Sequence, residues 1–432
     1  MTVDRSHPLR FALHDEVHAR PPLSLPSPSR LTCLALMSSA DDVAQELALL
    51  GELATLHGLP PPGGEAGHCV IEAPAFRLKW ERHTEYSRYV IAVDGAGSRP
   101  FAEPASDALP RDWLARLPGQ TLYAGHAEVL PGQIESGEGF SAISRESFAD
   151  RALVGSLIAG GLATVLTDFR IDEQGYSRLL LIDRGMTAAQ SGRAVQALLE
   201  VDTYRMLALL AFPVARQLSP QLARDERELS SIANELVDIE KSKEPVLLER
   251  LTRLQAEIER YEADHHYRFG AAEAYHEIVQ RRLEQLREER VDSLQTLQEF
   301  MERRLGPAMN TCVAVMARME SLSQRVTRAT QLLSTRIEIT REGQNQQLLE
   351  SMNQRAAAQL RLQGTVEGLS VAAVTYYIVG LISYLAEGLE GIAFLPSHGV
   401  ITAISIPIVA ILVALGVRRI RRAVEHQVEQ SS

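Results

Sequence analysis

The sequence predicts an α+β (α/β) cytosolic N-terminal domain, a long antiparallel or coiled-coil helical stalk, and two C-terminal transmembrane helices. Three observations predict it. Short strand-like apolar runs, divided by Pro/Gly-rich turns, fill the first 185 residues. After Gly185 the apolar period lengthens to that of a helix and stays there. Near the C-terminus, Leu369–Ala386 and Val400–Val417 are each 18 residues without a charge. Composition agrees with a globular body: 432 residues, 45% hydrophobic and 23% charged. That excludes a disordered chain and a collagen-like repeat. A net charge of −11 gives no support to a general nucleic-acid binder, which needs a basic patch. The mean hydropathy of −0.07 averages over the two apolar runs and hides them.

The elements follow in order. Residues 1–30 are Pro-rich and irregular, with no apolar core of a secretory signal. Arg30–Met37 reads as a buried strand. The next amphipathic helix has Asp41 as N-cap and stops at Gly58. HCVIEAPAFRLKWERH and EYSRYVIAV read as two adjacent strands, with Phe76, Leu78 and Trp80 on one buried face. A loop spans roughly Gly95–Pro110. QTLYAGHAEVL, GLATVLTDFRI and YSRLLLID are further strands, and Gly175 suits a positive φ in the turn DEQG. The domain 1–185 ends there, and a stalk over 186–364 follows. Its helices are expected at 187–218, 217–243, 245–305 and 308–364, the last running on into the membrane. Pro245 and Gly306-Pro307 divide them. Apolar seams recur at Leu229, Ile232, Leu236 and Ile239; at Leu247, Leu251, Leu254 and Ile258; and at Met309, Cys312, Met316 and Met319. The 217–243 and 245–305 helices are expected to fold back as an antiparallel pair.

Each 18-residue run spans about 27 Å at 1.5 Å per residue, close to a hydrocarbon core of about 30 Å. Transmembrane helices are therefore expected at 365–387 and 400–417, with a loop at 388–399 and a basic tail at 418–432. Arg418, Arg419, Arg421 and Arg422 follow the second run, and Arg355 and Arg361 precede the first. The loop carries Glu387 and Glu390 and no Lys or Arg. The positive-inside rule puts both termini in the cytoplasm. The expected location is a bacterial inner (cytoplasmic) membrane, with the lipid bilayer as partner. The three cysteines, Cys33, Cys69 and Cys312, are far apart and are expected to be free thiols.

Chemistry-bearing motifs are sparse. HDEVH places His14 and His18 four apart with Arg20 just beyond, but it is neither H-E-x-x-H nor its inverse. E-x-x-H occurs at Glu262–His265 and Glu273–His276, about 16 Å apart on one helix, too far to share a metal. Asp202 and Arg205 are spaced for an ion pair that packs a helix on the sheet. There is no Walker A, G-x-G-x-x-G or G-x-S-x-G. No catalytic residue, metal or cofactor is expected, and the protein reads as a non-enzyme. The first apolar run is diluted by polar and small residues. Steps of four and three give one seam: Leu369, Ala373, Tyr376, Gly380, Ser383, Glu387. Such a seam either packs against other helices in a homo-oligomer or lines a pore.

Four stretches resemble one bacterial family of uncharacterised membrane-anchored proteins, domain of unknown function 3422. They are HPLRFALHDEVHARP, LTDFRIDEQGYSRLLLID, GRAVQALLEVDTYRMLALLAFPVAR and QLRLQGTVEGLSVAAVTYYIVGLISYL. The resemblance implies membrane anchorage and no established activity. The layout also resembles the CorA-type magnesium channel, a homopentamer whose first membrane helix lines the pore. That resemblance implies a divalent cation as cargo and an acidic mouth at Glu387 and Glu390. The Gly-Met-Asn marker of that fold is absent; the place reads SYLAEGLEG.

Overall fold

A computed structural model describes residues 7–11, 13–14, 21–64, 66–134, 137–237, 243–388 and 397–429, with side chains to 420. The chain divides into two compact units, 1–330 and 331–432.

The first unit is built on a nine-stranded sheet of order β2-β3-β4-β1-β5-β8-β7-β6-β9. The strands are β1 Ser29–Met37, β2 His68–Ala73, β3 Phe76–Arg82, β4 Tyr86–Asp94, β5 Gln120–Pro131, β6 Val154–Ile158, β7 Ala163–Thr167, β8 Ser177–Asp183 and β9 Glu289–Arg290. All described pairings between these strands are antiparallel except β5 with β8. The stretch expected as one strand, 68–83, is a tight hairpin. Pro74 has no N–H for a sheet ladder, so the chain turns there and β2 pairs β3 from Ala73↔Phe76.

Alternation along the strands gives the sheet two buried faces. On one face, Leu34, Leu78, Trp80 and Ile91 pack against Leu49, Leu50 and Leu53 of α1 (Val43–Leu56). This helix is preceded by a capping box of Ser39 and Asp42, not by Asp41, and the turn after it has Gly58 at φ 68°. Trp113, on the short α2 (Arg111–Ala115), donates its indole N–H to the Leu49 carbonyl at 2.7 Å. The same layer continues with α3 (Gly137–Ser147), whose Phe140 meets Leu166, Leu180 and Ile182. Neither α2, α3 nor β6 was evident from sequence; each is short and follows a Pro/Gly-rich or polar stretch that masks its period.

The other face is covered by α4 (Ala188–Leu209), which starts on a Thr187–Gln190 capping box. The helix expected over 187–218 divides here, and α5 (Ala211–Val237) follows after Leu210. The helix expected over 245–305 is α6, Glu244–Leu286. It ends at Arg287, whose φ of 47° turns the chain back to pair β9 with β6 before α7 (Leu297–Arg304). Helices α5 and α6 run antiparallel: Arg250 reaches both Glu228 and Glu235. Their heptad residues Leu229, Ile232, Leu247, Leu251 and Ile258 are buried.

The longest helix is α8, Gly306–Gly388. In the first unit its face Cys312, Val315, Met319, Leu322 and Val326 is buried, and Arg318 pairs with Glu226 of α5. In the second unit, residues 344 to 366 of α8 are exposed throughout. Beyond them, α8 meets α9 (His398–Glu429). Both helices contain windows long and apolar enough to cross a membrane, with mean hydropathies of 1.8 and 2.7.

Candidate functional site

The first unit contains a cavity of about 620 Å³. It forms because β5 starts before its parallel neighbour. β8 pairs β5 only from Gly125↔Ser177 onward, so residues 120–124 have β1 on one side and open space on the other. The turn between β7 and β8 closes part of this gap. Asp172 Oδ1 accepts the N–H groups of Gln174 (2.9 Å) and Tyr176 (3.1 Å), and Gly175 takes the expected positive φ, 91°. The cavity thereby gains Ile171, Gln174 and Tyr176 from the turn.

A buried polar cluster forms one wall. Ser177 donates to Asp202 Oδ2 at 3.1 Å, and the Tyr123 phenol lies 3.3 Å from Ser177 Oγ. Arg205 Nε donates to Asp202 Oδ1 at 2.8 Å, and its guanidinium lies 5.5 Å from the centroid of Phe169. The ion pair expected from sequence is therefore present, and its Arg205 also lines the cavity. Burial, reinforced by the Asp202 charge, pushes the Tyr123 phenol far above its usual range, so it stays neutral. Gly125 makes the arrangement possible: a Cβ there would stand 2.2 Å from Tyr123 Oη and 2.8 Å from Ser177 Oγ. Behind the cavity, Tyr176 stacks on His126 at 4.1 Å. Burial pulls the His126 imidazole down to about 4, with Asp172 acting against the shift and Arg178 with it.

A second buried cluster sits between the sheet and α4. Lys79 pairs with Glu81 at 2.9 Å, Arg88 bridges Glu81 and Glu200, and Arg282 of α6 also reaches Glu200. Burial raises the Glu81 carboxyl, but Arg88 and Lys79 outweigh it and hold it down at about 2. Every charge there is paired, so the cluster reads as a fastener between sheet and helices. No local pattern announces it, because its members come from three separate stretches, near 79–88, at 200 and at 282.

In the second unit, the two apolar helices meet along Thr375 and Ala386 of α8 and Ser405 and Val409 of α9, all buried. Thr402 donates to Ser383 at 3.3 Å. The seam residues expected from sequence fall mostly elsewhere. Tyr376 is 77% exposed, and Ala373 and Glu387 are exposed. Gly380 and Ser383 are half-buried. Tyr376 follows Thr375 directly, which places it about 100° around the helix from the face that meets α9. Glu390, His18 and Arg20 lie outside the described residues. His14 lies exposed in the short described N-terminal stretch. Among the described residues there is no group of three or more His, Cys, Asp or Glu side chains placed to hold a metal ion. His265 and His276 stay apart on α6. The cysteines are free, and burial pushes the Cys33 thiol up to about 12.

The family described as "Protein of unknown function (DUF3422)" matches residues 5–424. The chain belongs to this family. Among curated proteins, none matches it. Two of the stretches that carry the DUF3422 resemblance border the cavity. LTDFRIDEQGYSRLLLID supplies Ile171, Gln174, Tyr176 and Ser177; GRAVQALLEVDTYRMLALLAFPVAR supplies Arg205 and Met206.

Proposed function

We propose that this protein is a non-catalytic, membrane-anchored homo-oligomer. Its cytosolic α/β unit serves as a regulatory or scaffold domain, carried on α8 and held at a bacterial inner membrane by the two apolar helices. Both termini lie in the cytoplasm, on the side of the arginine-rich flanks. The observation that carries this reading is the bare stretch of α8. Leu348, Met352, Leu362, Val366 and Leu369 are 57–75% exposed there. They fall on one line, spaced by alternating fours and threes with Arg355 and Gln359 between, and the line continues into Ala373, Tyr376 and Gly380. A helix with no packed face has little to hold it in water, since most helical stability comes from packing. Identical copies entering one bilayer in one direction bring identical seams to the same height. A parallel bundle then buries them, each full apolar side chain contributing about 1.5–3 kcal/mol.

Cysteine cross-linking in native membranes tests this. Met352→Cys and Leu362→Cys should form inter-chain disulfides, and Ala357→Cys, on the opposite side of α8, should not. Native mass spectrometry in nanodiscs then counts the copies. A monomeric chain, or cross-linking indifferent to position, would refute the oligomer. Release of the protein by alkaline carbonate would refute the anchor.

A second reading is a cation channel similar in layout to the CorA type, with a divalent cation as cargo and Glu387 at the outer mouth. What favours it is that Ala373, Tyr376 and Glu387 lie off the face that meets α9 and are free to line a central axis. It requires a closed ring of copies, a pentamer in the CorA layout. Saturable, ion-specific flux in proteoliposomes that falls in Gly380→Leu and Glu387→Ala would favour it over the scaffold.

A further inference from the structure

The cavity in the α/β unit has the size and wall chemistry of a small-molecule site. Its volume of about 620 Å³ falls within the range of about 300–1,000 Å³ typical of ligand pockets. One side is aliphatic, with Leu34, Leu36, Leu114 and Leu117. Among the described residues, Arg205 is the only charged side chain that lines it. Asp202, its partner, is not part of the lining, and both Asp202 oxygens are engaged, Oδ1 by Arg205 and Oδ2 by Ser177. Among the described residues, the charged group that lines the cavity is therefore a guanidinium, in a pair that is neutral overall.

Arg205 is also fixed before any ligand arrives. Asp202 holds Nε and Nη2, and Phe169 lies against the guanidinium face. Among the described residues, Nη1 makes no hydrogen bond. Phe169 sits at a φ of 50°, a strained conformation for a bulky aromatic, and it stacks on Phe300 at 4.5 Å. Strain of this kind tends to be retained where it positions a functional group. The ring it positions is the one that supports Arg205.

We propose that this cavity binds a small amphipathic carboxylate, with its aliphatic body against the leucine wall and its carboxylate on Nη1 of Arg205. A single free amino group on an already paired arginine suits one negative charge better than the two of a phosphate monoester. The site is independent of how the chain meets the membrane.

The test is calorimetric titration of the full chain in nanodiscs with hexanoate, hexylammonium and hexanol, with empty nanodiscs as blank. Hexanoate should bind saturably and at least tenfold more tightly than the other two. Leu117→Trp fills the aliphatic side and leaves the Arg205–Asp202 pair intact; it should weaken hexanoate at least tenfold. Met206→Trp is a second plug should the first fail to fold, and each is checked for an unchanged melting temperature. Equal affinity for hexanoate and hexylammonium would overturn the proposal. So would no saturable binding across the four- to ten-carbon carboxylates, or affinity unchanged by a folded plug.

Discussion

Protonation of His126 should destabilise the α/β unit in mild acid. The imidazole is 6% exposed, and its Nδ1 lies 3.0 Å from the Thr32 hydroxyl. Thr32 Oγ1 already accepts the Ser106 N–H at 3.1 Å, so its own hydrogen is free to donate to Nδ1. That bond needs the neutral ring. Burial lowers the imidazole from 6.5 to about 4 in the fold. A group lowered in this way is neutral in both states above 6.5. Below 6.5 the unfolded chain takes up a proton that the folded chain does not, so stability falls with pH until about 4. At about 1.4 kcal/mol per pH unit, the gap costs about 3 kcal/mol. The assay is denaturant unfolding read by tryptophan fluorescence. Both tryptophans, Trp80 and Trp113, are buried in the α/β core, so the signal reports that unit even in detergent. The comparison is His126→Phe, which retains a ring against Tyr176 and removes the titration. Buried carboxylates such as Glu46 and Glu81 titrate in both proteins and cancel in the difference. The wild type should lose about 3 kcal/mol relative to the variant between pH 6.5 and 4. A difference that stays flat over that window would refute the reasoning.

Two substitutions test the packing that positions the cavity. Gly192→Ala puts a Cβ 1.9 Å from the Leu23 carbonyl oxygen, a backbone atom with no side-chain freedom to yield. It should cost about 3 kcal/mol by displacing the segment before β1 from α4, seen as a lower denaturant midpoint. Arg88→Met leaves Glu81 and Glu200 sharing only Lys79 and Arg282. It should cost about 3–5 kcal/mol at pH 7, and part of that loss should disappear as the pH falls below 4.5 and Glu81 protonates.

Strands β1, β4, β5, β7 and β8 were legible because each is a short apolar run bounded by turn or breaker residues. Gly58 and Gly175 stop their elements where the sequence places the stop. What was not legible depends on distance in sequence. The return of residues 289–290 to the sheet edge is set by Arg287 in a left-handed conformation, with no glycine to announce it. The Asp202–Arg205 pair showed as a helical spacing. Its role at a cavity did not, because Tyr123, Gly125 and Ser177 reach it from two strands whose parallel pairing no local pattern encodes.

The two faces of the first apolar helix show the same division. A seam read from residue type selects the small and polar positions, Ala373, Tyr376 and Gly380. The face that meets the second apolar helix is instead Thr375 and Ala386, joined through Ser383 to Thr402. Both lines contain small residues, so composition alone does not separate them. A helix of 3.6 residues per turn has room for both, about 100° apart. One face is occupied within the chain. The other lines up with Leu362, Val366 and Leu369 on the bare stretch of α8. Under the proposed oligomer that line, interrupted by Arg355 and Gln359, would be covered along its length by one partner. A lipid covers only the span, and a soluble protein covers only the aqueous part. A second copy of the same helix covers both, which is why cross-linking at Met352 and Leu362 is the measurement on which the oligomer stands.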